Sequence, residues 1–335
     1  MPLNSNAVNI LTYMNITTMN KMIFKCFTAV ALSLPAIVYA SCGSAFCNMN
    51  TDWDIQSISN KSSVRLDLRA EYINQDQLRS ATHKTKAAGE VGEHDEIRTI
   101  NRNYLATVDW SINEDWGLTL KLPFIDRSHQ HIFNADDGLG GVDPELEKWN
   151  FSGLGDIQAI GRYRFYHNAD SNAGVRFGLK LPTGSIHKSN AEEDAERSLQ
   201  PGTGSLDSVL GAYYNHHTGN LNWFAQGTWQ QTVNERDNFK TGRKLNADIG
   251  LSYSTTPDLN LMIQLNAQHK SHDTGANAEP ADSGGSTLSL SPGLSYRLTG
   301  DTHVYGFIQA PIYQYVRGTQ LTSDWSVALG ISTLF

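Results

Sequence analysis

From residue 63 to the C-terminus the chain alternates apolar and polar residues with period two, in about twelve segments of roughly ten residues each. In VRLDLRAEY, Val64, Leu66, Leu68, Ala70 and Tyr72 fall on one face of an extended chain; Arg65, Asp67, Arg69 and Glu71 fall on the other. Four charges on one face need water, so such a strand has one wet side and one apolar side. The pattern returns in Tyr104, Ala106, Val108 and Trp110, and again in Trp116, Leu118, Leu120, Leu122 and Phe124 against Thr119 and Lys121. Ile157, Ala159, Tyr163 and Phe165 oppose Asp156, Gln158, Arg162 and Arg164; Val175, Phe177, Leu179 and Leu181 oppose Arg176 and Lys180. Further segments lie around 206–216, 221–231, 245–254, 259–269, 287–297, 302–314 and 325–335. An even number of half-apolar strands of this length predicts an all-β fold: a transmembrane up-and-down antiparallel β-barrel of about 12 strands. A secreted soluble β-protein is the alternative.

The connections carry an independent signal. Short turns at 113–115, 168–172, 217–220, 255–258 and 299–301 alternate with longer polar stretches at about 75–96, 127–153, 183–205, 232–244, 270–286 and 316–324. One barrel end with periplasmic turns and another with extracellular loops would give that asymmetry. Trp110 and Trp116 flank one turn, and Tyr296, Tyr313, Tyr315 and Trp325 sit near others, where amphipathic rings suit a membrane interface. The last strand ends in Phe335, the form of terminus that the outer-membrane barrel assembly machinery reads. A mean hydropathy of −0.39 excludes a polytopic helical membrane protein and leaves a barrel untouched. The net charge of −8, without a long basic block, speaks against nucleic acid as a partner; outer-membrane lipid and a small-molecule solute are the expected ones.

Residues 1–40 read as a signal peptide region. Lys21 and Lys25 precede CFTAVALSLPAIVYA, which is too short for a membrane helix, is broken by Pro35 and ends in Val38-Tyr39-Ala40. Initiation at Met19 or Met22 fits that pattern, and loss of the two lysines takes the exported chain from −8 to −10. Residues 41–62 then form a Cys-containing segment with no alternation of its own, either periplasmic or a plug for the barrel of residues 63–335. Cys42 and Cys47 suit a small disulfide loop in an oxidising compartment; as a thiol pair they lack the third and fourth ligands of a metal site. VYASC departs from a lipobox, which weighs against lipidation of Cys42.

GLGDIQAIGRYRF (153–165), GLKLPTG (178–184) and PGTGSLD (201–207) resemble the outer-membrane transporters grouped as the MetA pathway of phenol degradation family. The resemblance covers most of the mature barrel. It implies a barrel channel and, through the family's link to aromatic degradation, an aromatic or hydrophobic solute. The segments CGSAFC and HDEIRTINRNYLATVDW (94–110) belong to a subgroup rather than to the family as a whole.

Alternation assigns a lumen pathway to Arg65, Asp67, Arg69, Glu71, Lys121, Asp156, Arg162, Arg164, Arg176 and Lys180. Later strands contribute Gln226, Thr228, Gln230, Asn246, Asp248, Gln264, Asn266 and Gln268. A charged half facing an amide half gives either a basic-biased path or mutually neutralising struts. His129 and His131 share a strand face and, with Asp126, are weak metal candidates at a loop end. No cofactor is expected, and catalysis is not: Ser128 and His129 point to opposite faces, no G-x-S-x-G elbow is present, and GLGG (138–141) lacks a phosphate loop's further glycine and helix. The expected function is passive uptake or efflux of a small solute across the outer membrane. Two alternatives stand beside it: a structural or metal-linked protein with a periplasmic partner at Cys42/Cys47, and a barrel hydrolase.

Overall fold

The structure, a computed structural model, describes residues 41–42, 49–52, 63–190 and 194–335. The leader, Cys47 and the Cys42 side chain lie outside the described residues, so the disulfide expectation is not addressed. The described chain has no helix and twelve substantial strands. These are β1 Ser63–Ala81, β2 His94–Ser111, β3 Trp116–Asp136, β4 Val142–Leu154, β5 Gln158–His167 and β6 Ser171–Lys180. They continue as β7 Asp207–Thr218, β8 Leu221–Thr232, β9 Lys244–Ser254, β10 Leu259–Lys270, β11 Gly285–Thr299 and β12 Thr302–Leu334. Two-residue pieces at Ser41–Cys42 and His83–Lys84 add to β12 and β1.

Wall strands pair antiparallel with the next in sequence, except that β3 passes over β4 to β5, and β12 pairs with β1, so eleven elements close a ring while β4 lies off it. Closure removes the edges that lipid could not solvate. β3 explains the position of β4: one edge pairs with β2, while the other takes β4 along 124–136 and β5 along 116–121. β4 and β5 are therefore one course of wall interrupted at Gly155-Asp156-Ile157.

β12 is folded in two. A straight run of 33 residues would exceed about 100 Å at roughly 3.3 Å per residue. The chain instead reverses at Arg317-Gly318, where Gly318 has φ of 63° and a Cβ would lie 2.1 Å from Asp282 Oδ1. The arms then run side by side, with Thr302 Oγ1 2.6 Å from Thr333 Oγ1 and Leu334 N donating to Asp301 O. The first arm pairs with β11 and the second with β1, so the wall is crossed twelve times.

The five short turns all lie at one end, where Phe335 and Val64 also exchange backbone hydrogen bonds. The opposite end differs from the sequence reading in two places. Residues 127–153 are mostly a tall β3–β4 hairpin whose tip is 137–141, and 316–324 is a tight turn with two paired arms. GLGG thus turns a hairpin: Gly138 and Gly140 take positive φ, and Asp137 Oδ1 accepts from Leu139 N and Gly141 N.

Burial is inverted relative to a soluble protein. Asn101, Asn103, Arg162 and Arg164 are buried, while Leu120, Phe124, Ile249 and Leu329 are exposed. On β3 the outward residues are apolar through Phe124 and turn polar at Asp126, which pairs outward with Arg102 at 3.6 Å. That ion pair marks the upper border of the lipid belt. The upper halves of β2 and β3, and β4, rise beyond it.

Candidate functional site

The ten charged residues assigned to the lumen all face inward, but they divide by role. Asp67 accepts from Tyr305 Oη at 2.9 Å, and Arg69 pairs with Glu71 at 3.0 Å. Asn103 donates to Glu71, Arg65 reaches Ser332 at 3.5 Å, and Arg162 donates to Ser111 at 3.1 Å. These contacts brace the lower wall. Lys121, Asp156, Arg176 and Lys180, together with the wall-bracing Arg69, line a lumen cavity of about 280 Å³; Arg65, Asp67, Glu71, Arg162 and Arg164 do not. In the amide half, Asn266 and Gln226 donate to Asp248, and Gln268 donates to Asn246.

Segment 49–52 crosses the lumen between the two halves. Met49 packs into an inner apolar patch with Ile73, Met262, Tyr305, Phe307 and Ala328. Asn50 N donates to Gln264 Oε1 at 3.0 Å, and Gln264 Nε2 donates back to Asn50 O at 2.9 Å. Asp52 N donates to Asn50 Oδ1, and Arg69 donates to Thr51 Oγ1. Asp52 reaches the basic side, where Lys121 Nζ lies 2.6 Å from one carboxylate oxygen and Arg176 binds the other. Alternation could not have found Asp52, because its segment has none.

The motif pieces at 153–165, 178–184 and 201–207 meet at the rim. Asp156 Oδ1 accepts from Gly184 N at 3.0 Å, and its Oδ2 accepts from Thr203 N and Oγ1. Gly184 and Gly202 are pressed together; a Cβ on Gly202 would lie 2.4 Å from Gly184 O. Lys180 bridges Asp156 at 3.2 Å and Asp207 at 3.0 Å. The motif therefore ties both ends of the long loop 181–206 to the wall.

That loop knits with its neighbours over the mouth. Arg197 lies over the Phe239 ring at 5.1 Å, Lys240 and Thr274 exchange backbone hydrogen bonds, and Asn277 donates to Asp237 O. Within this layer burial first, then Glu196, Asp282 and Asp273, pushes the Glu279 carboxyl up to about 9. The folded layer thus holds a proton that the unfolded chain releases near 4.5. Its stabilising contribution is full below that value and is lost as pH rises through about 9. Proteolytic nicking of residues 271–284 in the folded barrel is expected to accelerate across that window, and Glu279→Gln to flatten the dependence. Identical pH profiles for both proteins would refute this.

His129 and His131 do share the inner face of β3, above the lipid belt. Asp126 does not join them, because it points outward to Arg102. The acids that converge are Glu96 of β2 and Glu147 of β4. His129 Nε2 and His131 Nδ1 are 3.3 Å apart, and the two Glu96 oxygens approach them at 3.5 and 3.9 Å. Burial, then His131, Arg127 and His94, pushes His129 down to about 3; burial and His94 do the same to His131. Trp149 lies over both rings, at centroid distances of 5.6 and 4.6 Å. Ser128 faces away from His129, on the opposite side of the wall.

A closed barrel with a wet interior, an apolar outer belt and paired interface aromatics such as Trp116–Tyr163 is a bacterial outer-membrane β-barrel. The family model described as "Putative MetA-pathway of phenol degradation" matches residues 104–327, and the chain belongs to that family. No curated protein matches the sequence as a relative. Among solved structures, the chain is similar to an outer membrane channel from Pseudomonas putida F1, with 15% identity and a TM-score of 0.61. That match covers 86% of this chain and 100% of the other. The NanC porin has 11% identity and a TM-score of 0.46 over 80% and 98% of the two chains. A deltaS2S3 mutant of the TodX monoaromatic hydrocarbon channel has 9% and 0.45 over 90% and 98%.

Proposed function

We propose that this barrel passes small anionic solutes by passive diffusion and that residues 49–52 form the constriction controlling the path. The observation that carries the reading is Asp52, held across the lumen by Lys121 and Arg176. The cavity beside it is lined by Arg69, Lys121, Arg176, Lys180 and Lys244 against Asp52, Asp156, Asp207 and Asp248. With the crossbar in place the charges nearly cancel. With Asp52 displaced, five cations face three carboxylates, and the cavity attracts anions. The family description points toward aromatic compounds, and an aromatic carboxylate combines that with the charge of the wall. The N-terminal segment then acts as a plug, and the bracing network below it keeps the barrel round without taking part in selection.

The test is single-channel recording of the refolded protein in planar bilayers across a KCl gradient. Discrete openings with a reversal potential on the chloride side are expected. Silence from a folded, heat-modifiable barrel, or preference for potassium, would overturn the reading.

A further inference from the structure

We propose that Glu96, His129 and His131 form a binding site for one divalent first-row transition metal ion, zinc fitting best, in the extracellular mouth of the barrel. Three donor atoms converge there: His129 Nε2, His131 Nδ1 and a Glu96 carboxylate oxygen. In a tetrahedral site with bonds of about 2.0–2.2 Å, neighbouring donors lie about 3.3–3.5 Å apart. The two imidazole nitrogens are 3.3 Å apart; Glu96 Oε2 lies 3.5 Å from His129 Nε2, and its other oxygen, Oε1, lies 3.9 Å from His131 Nδ1. A two-His, one-carboxylate set of this spacing matches zinc and leaves a fourth position for water.

Each imidazole is also held from behind. Glu147 Oε2 lies 2.8 Å from His131 Nε2 and accepts from it in the tautomer that leaves Nδ1 as a lone pair facing inward. Thr99 Oγ1 lies 2.8 Å from His129 Nδ1. These partners are what metal-bound histidines use to fix tautomer and orientation. In the tautomer that carries the His129 proton on Nε2, that proton bridges to His131 Nδ1. With a cation bound, the His129 proton would sit instead on Nδ1 and be donated to Thr99 Oγ1, leaving Nε2 to meet the ion beside His131 Nδ1 and Glu96. The three ligands come from β2 and β3, while Trp149 of β4 and Leu199 pack beside them. Arg127, on the same inner face, donates to Leu199 O. The ion would therefore sit under residues 194–200, enter during folding or when that loop lifts, and tie the tall hairpin to the rim.

His94 and Glu147 offer a second arrangement around His131. It draws on Glu147, whose Oε2 already lies in hydrogen-bond contact with His131 Nε2, and it lacks His129. The test separates the two.

The full chain is refolded in detergent with Zn2+ or Co2+ alone, passed through a desalting column and assayed for bound metal. One equivalent per chain is expected, with Co2+ giving tetrahedral absorption bands and Zn2+ an absorption edge fitted by two imidazoles and oxygen. Glu96→Gln and His129→Ala should each weaken binding by more than about 100-fold. Glu147→Gln should cost about 10- to 100-fold, as an outer partner. His216→Ala, at the short-turn end of the barrel beside Ser171, should change nothing. Less than a tenth of an equivalent on a heat-modifiable wild-type barrel would overturn the proposal. So would binding that survives Glu96→Gln but is abolished by Glu147→Gln, or a sulfur-rich coordination shell, which would move the ion to Cys42 and Cys47. Should His129→Ala fail to fold, the contrast between Glu96→Gln and Glu147→Gln still separates the two arrangements.

Discussion

Asp52→Ala is expected to turn an infrequently opening pore into one that is open most of the time and markedly anion-selective. Asp52 accepts from Lys121 at 2.6 Å and from Arg176, all within the lumen. Removing one partner of such a buried ion group costs about 3–5 kcal/mol where water is excluded. The lumen is wet, so the lower end applies, and about 3 kcal/mol displaces an equilibrium by roughly 100-fold. Met49, the reciprocal Asn50–Gln264 pair and Thr51 still hold the segment, so Asp52→Ala loosens the crossbar rather than removing it. Adding Gln264→Ala should raise open probability further. Asp248→Asn faces the same cavity without touching the crossbar and should shift selectivity slightly, with no change in opening. Open probability unaltered by Asp52→Ala would remove the crossbar from any account of gating.

The barrel was legible because every wall strand must satisfy two solvents at once. Leu66 and Asp67 are neighbours with opposite environments, and that conflict writes period two into the chain wherever lipid and lumen face each other. Above the lipid belt the conflict disappears. Residues 127–153 have no hydrocarbon on their outer face, lose the alternation and read as a loop, although they form a paired hairpin. The metal-type cluster was half visible for the same reason. His129 and His131 advertise a shared face, but their carboxylates sit across strand pairs. A signal for Glu147 did exist: with the β3–β4 turn centred on Leu139, His131 and Glu147 stand opposite each other. Asp126, the nearest acid in sequence, lies at an odd spacing from both histidines and so on the other face. Asp52 had no comparable signal. Its meaning depends on Lys121 and Arg176, which belong to β3 and β6 and meet only when the ring closes.

Leu120→Arg is expected to destabilise the barrel by about 2–4 kcal/mol, while Ser128→Arg, on the same face of the same strand, costs about 0–1 kcal/mol. Leu120 is outward-facing and lies between the interface ring Trp116 and the Arg102–Asp126 ion pair. An arginine there must either sit in hydrocarbon or bend toward an interface. Ser128 lies beyond Asp126, opposite Asn150 of β4, where a guanidinium stays in water. The adjacent Lys121→Leu faces the lumen, releases Asp52 and should alter conductance more than stability. Denaturant titration of the heat-modifiable folded band, with each variant reconstituted in lipid, measures the first two; bilayer recording measures the third. Equal costs at 120 and 128 would place the membrane border above His129 and His131. The cluster would then stand beside hydrocarbon, where water has no route to the fourth position of the ion. A large difference fixes the border at Asp126 and leaves the cluster above the membrane, under residues 194–200, where metal from outside the cell arrives when that loop lifts.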